Sequence, residues 1–318
     1  MKIFIFLAAG LFHSMGFAQS SPKPNETDFV ALKTIQTKPI SHLEIPATGS
    51  TDLIIVHTGF SLVYNETHEQ ASWVAYELTK DETTKKFERT DKFIPDPKVS
   101  TETANNADYA GAGYDRGHLA PAADMGWSKT TVAESFYYSN MSPQEPGFNR
   151  GIWKKTEELV RDWAVENNSL YVVTGPVLAN GLKFIGKNEV SVPKYYYKVI
   201  LDYSQPSVKG IGFIMPNTDS KESPGSFAVS IDSIEQFTGI DFFPLLPDDQ
   251  ENLIEKTLCI DCWTWATNQG TATPKKKAET TQKDQTVTVQ CSQITQSKKR
   301  CKRKTKSPNG LCSQHGGN

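Results

Sequence analysis

Apolar positions fall into a few periodic runs separated by polar, Pro- and Gly-rich stretches. Leu53 to Tyr64 and Ala71 to Leu78 cluster or alternate β-branched and aromatic residues around the polar turn Asn65-Glu66-Thr67-His68, a pattern that predicts a hairpin. Ser169 to Leu178, Tyr195 to Tyr203 and Lys209 to Met215 predict later strands, with Pro and Gly clusters between them. Two helices are signalled. Arg150 to Glu166 sets Ile152, Leu159, Val160 and Trp163 on one face at helical spacing. Ile231 to Thr238 is bracketed by a capping Ser230 and a terminating Gly239. Long strands with few helices and no βαβ alternation predict an α+β fold around a mainly antiparallel sheet.

The ends of the chain differ from the middle. Lys2 precedes an apolar run from Ile3 to Phe12, with small residues Gly16 and Ala18 ahead of Gln19. That is the pattern of a secretory signal cleaved near Ala18/Gln19, so a secreted or periplasmic protein is expected. No other stretch reaches the roughly 20 apolar residues of a membrane span. The 318 residues, 37% of them hydrophobic, carry a net charge of −2 that argues against a nucleic-acid partner until it is divided. Residues 274–318 hold eleven Lys or Arg against Glu279 and Asp284, a balance of +9, which leaves −12 in residues 19–273. The expected organisation is a signal over 1–18, an N-terminal extension over 19–48, a main domain over 49–268, a Thr-, Lys- and Gln-rich linker over 269–288 and a basic module over 289–318.

Five cysteines cannot all pair within one chain. Cys259 and Cys262 favour a local structural disulfide over a redox pair, because no thioredoxin-like βαβ context surrounds them. Cys291, Cys301, Cys312 and His315 then suit a tetrahedral structural Zn²⁺; the alternative is an unstructured basic tail with adventitious cysteines or one disulfide. Such a tail is an electrostatic docking arm for nucleic acid or, more blandly, a solubilising or sorting segment.

One region concentrates polar chemistry: Asp115-Arg116-Gly117-His118, Ser139-Asn140-Met141-Ser142-Pro143-Gln144, Asn149-Arg150-Gly151-Ile152-Trp153 and Glu157. A neutral His118 suits proton abstraction from water, although a lone histidine is more often a surface or capping residue. Asn149 is placed to cap the predicted helix or, through its amide oxygen, to ligate Mg²⁺, which keeps most of its water. Glu157 lies a little over two turns on, as a water-mediated partner of that cation or a helix carboxylate paired with Arg161.

Together these residues resemble the sugar-non-specific DNA/RNA endonucleases, the endonuclease G-like ββα-metal family. Trp73-Val74-Ala75-Tyr76, Arg89 with Asp96-Pro97, Val173-Thr174-Gly175-Pro176 and Leu246-Pro247-Asp248-Asp249 extend the resemblance from about Leu53 to Lys256. It implies an α+β fold with a ββα-metal motif and a Mg²⁺-dependent (or Mn²⁺-dependent) hydrolase that cuts DNA and RNA to 5′-phosphates. His118 would be the general base, Asn149 the metal ligand, and Glu157 the residue orienting metal-bound water. Arg116 and Arg89 would bind the scissile phosphate, and Asn140 would position His118 or the metal shell. A homodimer and an accompanying protein inhibitor stay open. The rival of another class is an exported nucleic-acid-binding protein on a nuclease scaffold that no longer cuts. A zinc enzyme using the tail cysteines is disfavoured, since four protein ligands leave no open position.

Overall fold

The hairpin over residues 53–78 forms, in the computed structural model, as three strands: β1 (Ile54–Val56), β2 (Ser61–Asn65) and β3 (Gln70–Thr79). The run Leu53 to Tyr64 is divided because the chain turns at Thr58 and Gly59, where His57 N donates to Phe60 O at 2.8 Å. Between β2 and β3 the predicted polar turn is closed by Asn65, whose Oδ1 accepts from Thr67 N and His68 N. The structure describes residues 26–265, together with 289–290, 302–305 and 314.

Along the chain follow β4 (Asp115–His118), β5 (Met141–Gln144), β6 (Ser169–Pro176), β7 (Lys183–Ile185), β8 (Val190–Val192), β9 (Tyr195–Asp202), β10 (Lys209–Pro216) and β11 (Ala228–Val229). The helices are α1 (Glu26–Thr34), α2 (Asn106–Tyr109), α3 (Lys129–Glu134), α4 (Pro146–Phe148), α5 (Lys154–Asn167), α6 (Ile231–Thr238) and α7 (Asp248–Lys256). Seven strands form one sheet in the order β1-β2-β3-β6-β9-β10-β11, with every neighbouring pair antiparallel. The α+β class and the antiparallel sheet are as expected. Strands β4 and β5 pair apart from the main sheet, as do β7 and β8.

Strand alternation sends residues to two cores, one on each side of the sheet. Val74, Tyr76, Leu170, Val172, Tyr196, Ile200 and Phe213 face Leu159, Val160 and Trp163 of α5. Trp73, Ala75, Val173, Tyr197, Val199 and Leu201 face Ile231 and Ile234 of α6 and Ile254 of α7. Central strands covered on both sides read as apolar runs, as Tyr195 to Leu201 does but for one lysine. Close approach of α6 depends on Gly212, where a Cβ would lie 2.3 Å from Ile234 Cδ1. Helix α6 is bounded as its sequence predicts: Ser230 Oγ accepts from Ser233 N, and Gly239 adopts φ +74°.

Trp163 anchors α5. It is fully buried, its ring centroid lies 4.4 Å from that of Trp263, and its Nε1 donates to Thr264 O at 2.6 Å. The adjoining segment is closed by the Cys259–Cys262 disulfide. The chain divides into two compact units, Met1–Ala266 and Thr267–Asn318. In the second, β12 (Val289–Gln290) pairs antiparallel with β13 (Lys304–Thr305). The linker over 269–288 and the expected zinc ligands Cys291, Cys301, Cys312 and His315 lie outside the described residues, except for the paired end of the module. Among the described residues no helix is long and apolar enough to cross a membrane. Replacement of Trp163 by Ala is expected to cost about 3–5 kcal/mol, the usual range for a large core aromatic, read from the midpoint of urea unfolding.

Candidate active site

The Asp115-Arg116-Gly117-His118 tetrapeptide is β4, and it pairs with β5 in the register Asp115↔Gln144, Arg116↔Pro143, Gly117↔Ser142 and His118↔Met141. These four-residue polar strands carry too little periodicity to be predicted. Gly117 is required by its neighbour: a Cβ there would fall 2.1 Å from Oε1 of the fully buried Gln144. Alternation places Arg116 and His118 on the same side of the ribbon. There they meet an aromatic floor. The imidazole of His118 stands edge-on to Phe136, with centroids 4.9 Å apart, and 5.9 Å from Phe93.

The Arg116 guanidinium lies 4.5 Å above Phe93 and donates to Asn106 Oδ1, while that of Arg89 lies 5.5 Å above Phe136. Arg89 is more than half exposed and is held by Asp91 Oδ1, 2.8 Å from its Nε. Nε2 of His118 is enclosed without a hydrogen-bond partner. That burial, then the nearby Arg89, push the imidazole pKa down to about 3, with Asp91 pulling the other way. The imidazole is therefore uncharged at neutral pH.

Asn140 is in another position. It is fully buried, its Oδ1 accepts from Ala120 N at 2.8 Å, and its Nδ2 donates to the carbonyls of Ala120 and Ser135. Its own carbonyl accepts from Leu119 N at 3.0 Å. Asn140 thus braces the two residues that follow His118, with its side-chain amide enclosed and spent on backbone groups.

The helix predicted from Arg150 begins at Lys154. Ahead of it, α4 leads into a wide helical turn over Asn149–Trp153, broken at Gly151 with φ −103° and ψ −109°. Asn149 therefore is not the N-cap of α5; it ends α4 instead. Its Nδ2 donates to Asp115 Oδ2 at 2.9 Å, and Arg150 grips both oxygens of the same carboxylate, through Nε at 2.8 Å and Nη2 at 2.6 Å. The amide is thereby oriented, with Oδ1 turned away from Asp115. A second tie runs from Trp153 Nε1 to His118 O, at 3.4 Å.

Glu157, on the first turn of α5, lies among Lys198, Asp124 and Arg161. Burial raises its carboxyl pKa and Lys198 draws it back. Arg161 pairs with Asp124 at 2.7 Å in place of Glu157. Among the described residues, no hydrogen bond or ion pair joins Glu157 to Asn149 or His118. The structure thus brings His118, Arg89 and Arg116 to one aromatic floor, ties Asn149 to the same ribbon, and seats Glu157 in a neighbouring buried network. Asp115 and Arg150 lie within the motif segments, and the structure makes them the partners that fix Asn149. Phe93, Phe136 and Asn106 gave no signal, whereas Lys198 did, as the one charge inside the apolar run Tyr195 to Leu201.

A two-stranded ribbon and helix presenting a neutral imidazole, two guanidinium groups and an oriented amide oxygen is the arrangement of a ββα-metal hydrolase. A model of the DNA/RNA non-specific endonuclease family matches residues 37–249, and the chain belongs to that family. The family is one of metal-dependent nucleases, so the class is that of a hydrolase acting as an endonuclease. The chain is 35% identical to the mitochondrial nuclease EXOG of Danio rerio, over 66% of this chain and 66% of the relative. To human mitochondrial endonuclease G it is 34% identical, over 58% of this chain and 67% of the relative. The chain spans about two thirds of the length of these relatives. The crystal structure of the EndoG/EndoGI complex is similar with a TM-score of 0.58 at 31% identity, covering 62% of this chain and 88% of the other.

Mitochondrial nucleases among the relatives overturn the expectation of a secreted or periplasmic protein. The N-terminal run on which it rested lies outside the described residues. For the site itself, Asn140→Ala is expected to leave the Ala120 amide and two carbonyls unpaired and cost about 2–5 kcal/mol, measured by denaturant unfolding.

Proposed function

We propose that the protein is a divalent-metal-dependent endonuclease that hydrolyses phosphodiester bonds of DNA and RNA without sequence preference and leaves 5′-phosphates. The observation that carries this is the lock of Asn149 by Asp115 and Arg150, which commits the amide nitrogen and sets the oxygen free. One neutral oxygen donor with the remaining positions filled by water suits Mg²⁺, with Mn²⁺ as the alternative. Asn149 would hold the ion, which when bound supplies positive charge to the phosphate and the departing 3′-oxygen.

The other roles belong to the chain's own side chains. Neutral His118 takes a proton from the attacking water. Arg89 and Arg116 grip the phosphate oxygens as guanidinium forks, exchanging Asp91 and Asn106 for substrate. Glu157 orients water between the helix and the phosphate, and Asn140 positions the backbone after His118. Binding through phosphate and cation, with no element that reads base edges, gives little sequence discrimination. Loss of a 3′-oxygen needs no 2′-hydroxyl, so DNA and RNA both serve. We assign the nuclease domain to residues 49–268 and the role of a phosphate-docking arm to the +9 segment of residues 274–318.

Plasmid DNA and RNA incubated with purified protein and Mg²⁺ should be cut, and EDTA should abolish cutting. His118→Ala should lower kcat by about 10²–10⁴-fold. Metal-independent cutting, or an undiminished variant, would overturn the mechanism. Asp115→Asn releases Arg150 and Asn149, and should raise the Mg²⁺ concentration for half-maximal rate about 10–100-fold.

The pH dependence follows from the depressed imidazole pKa. The base stays unprotonated as pH falls through the ordinary histidine value of 6.5, so activity on this account is retained there and lost only toward the folded value near 3. The acid limb of kcat/KM against pH should lie below 6.5; a limb at or above it would remove His118 as the base.

A further inference from the structure

A second group of oxygen donors lies on the sheet face away from α5. Asp232 and Glu235, three residues apart on α6, and Glu255 on α7 bring one carboxylate oxygen each to within 4.8 Å of one another. Glu255 is 6% exposed, and its Oε1 is enclosed with no hydrogen-bond partner. Such an oxygen carries an uncompensated desolvation cost unless a proton or a cation meets it.

The surroundings supply more negative charge. Burial, then Glu235, Glu251, Asp232 and Asp241, push the Glu255 carboxyl up to about 9. Burial, then Asp241, Glu235 and Asp248, push that of Glu251 up to about 7. Lys256, the cation that acts on Asp232, pairs with Asp28 at 3.5 Å. Glu235 spends one oxygen on Phe242 N at 2.8 Å, which leaves its other for a ligand.

We propose that Asp232, Glu235 and Glu255 form a Ca²⁺ site, separate from the catalytic site, that clips α6 to α7. Three carboxylate oxygens close enough to share one ion suit Ca²⁺, which takes many oxygen ligands in a flexible geometry, rather than Mg²⁺, which keeps most of its water and is held through one or two carboxylates. The buried Glu255 carboxylate, whose Oε1 lacks a hydrogen-bond partner, is compensated, and three like charges become mutually tolerable. The ion would also steady the turn after α6 through Glu235 and Phe242, beside the buried Phe242 and Phe243 that fill this core.

The site is independent of the nuclease mechanism, and its test reads stability. Full-length protein stripped with chelator is titrated with Ca²⁺ by calorimetry and followed by thermal melting. Wild type should bind Ca²⁺ and gain several degrees in Tm, since a ligand of the folded state alone stabilises it. Asp232→Asn and Glu255→Gln should each weaken that binding by about tenfold or more while keeping Mg²⁺-dependent cutting. Asn149→Ala should keep the Ca²⁺-dependent rise in Tm, which separates this site from the catalytic one. If Glu255→Gln does not fold, the partly exposed Asp232→Asn carries the test. No Ca²⁺-dependent shift in wild type, a shift unaltered in Asp232→Asn, or one lost in Asn149→Ala would overturn the proposal; the first would leave Glu255 holding a proton.

Discussion

The Asp115 carboxylate sits at the start of β4 and accepts from Asn149 and Arg150 at once. It joins the strand that carries His118 to the turn that precedes α5. Arg150 is 72% exposed, so as a surface ion pair the contact adds little stability. What it adds is geometry: two short, charge-assisted bonds fix the carboxylate, and the carboxylate fixes which end of the Asn149 amide faces outward. The break at Gly151 makes room for this, because a regular helix from residue 146 onward would carry Asn149 and Arg150 at a different angle to the ribbon. Trp153 completes the joint by holding the His118 carbonyl while its ring packs on Phe148 and Tyr196.

The same joint explains the buried charges behind it. Lys198 is the only polar residue of β9 on the α5 side between Tyr196 and Ile200, and its Nζ has no hydrogen bond but lies 4.8 Å above the Trp153 ring. Burial lowers the lysine pKa, and the Glu157 carboxylate draws it back. Burial raises the Glu157 pKa, and Lys198 draws that back in turn. Each charge is tolerable because the other is present, and the pair is placed where α5 crosses the sheet. Tyr76 and Arg161 hold Asp124 in the same network, at 2.8 and 2.7 Å, so β3, α5 and β9 meet through polar groups inside an otherwise apolar layer.

Sequence was most informative where one local rule decides structure. Ser230 and Gly239 bounded α6 because capping chemistry is local, and Tyr195 to Tyr203 reads as a strand, realised as β9 up to Asp202, because burial on both faces leaves it apolar. The ribbon was legible as chemistry but not as structure: two four-residue strands with Pro143 opposite Arg116 show no period, and twenty-two residues of chain separate them. The start of α5 at Lys154 differs from the sequence expectation because Asn149, a good cap by type, is drawn to its long-range partner Asp115. Asn140 could be placed near the site but not given its bracing role, which depends on Ala120 and Ser135 folding around it. The triad of Asp232, Glu235 and Glu255 was invisible, since packing of α6 on α7 is what brings residue 255 to the other two.

Charge illustrates the same limit at a larger scale. The −12 of residues 19–273 suggested a body that repels nucleic acid, yet a substrate responds to the local field. Six of the acids, Asp232, Glu235, Asp241, Asp248, Glu251 and Glu255, gather on and between α6 and α7, on the core opposite α5. Beside His118 stand Arg89 and Arg116, each over an aromatic ring and each hydrogen-bonded to a side chain, Asp91 or Asn106. The sheet separates the two groups: a phosphate approaching the ribbon meets the guanidinium groups first, whereas the acidic cluster lies on the face opposite α5. An acidic nuclease body is then no contradiction, because the negative charge is concentrated where a cation rather than a nucleic acid would be its partner.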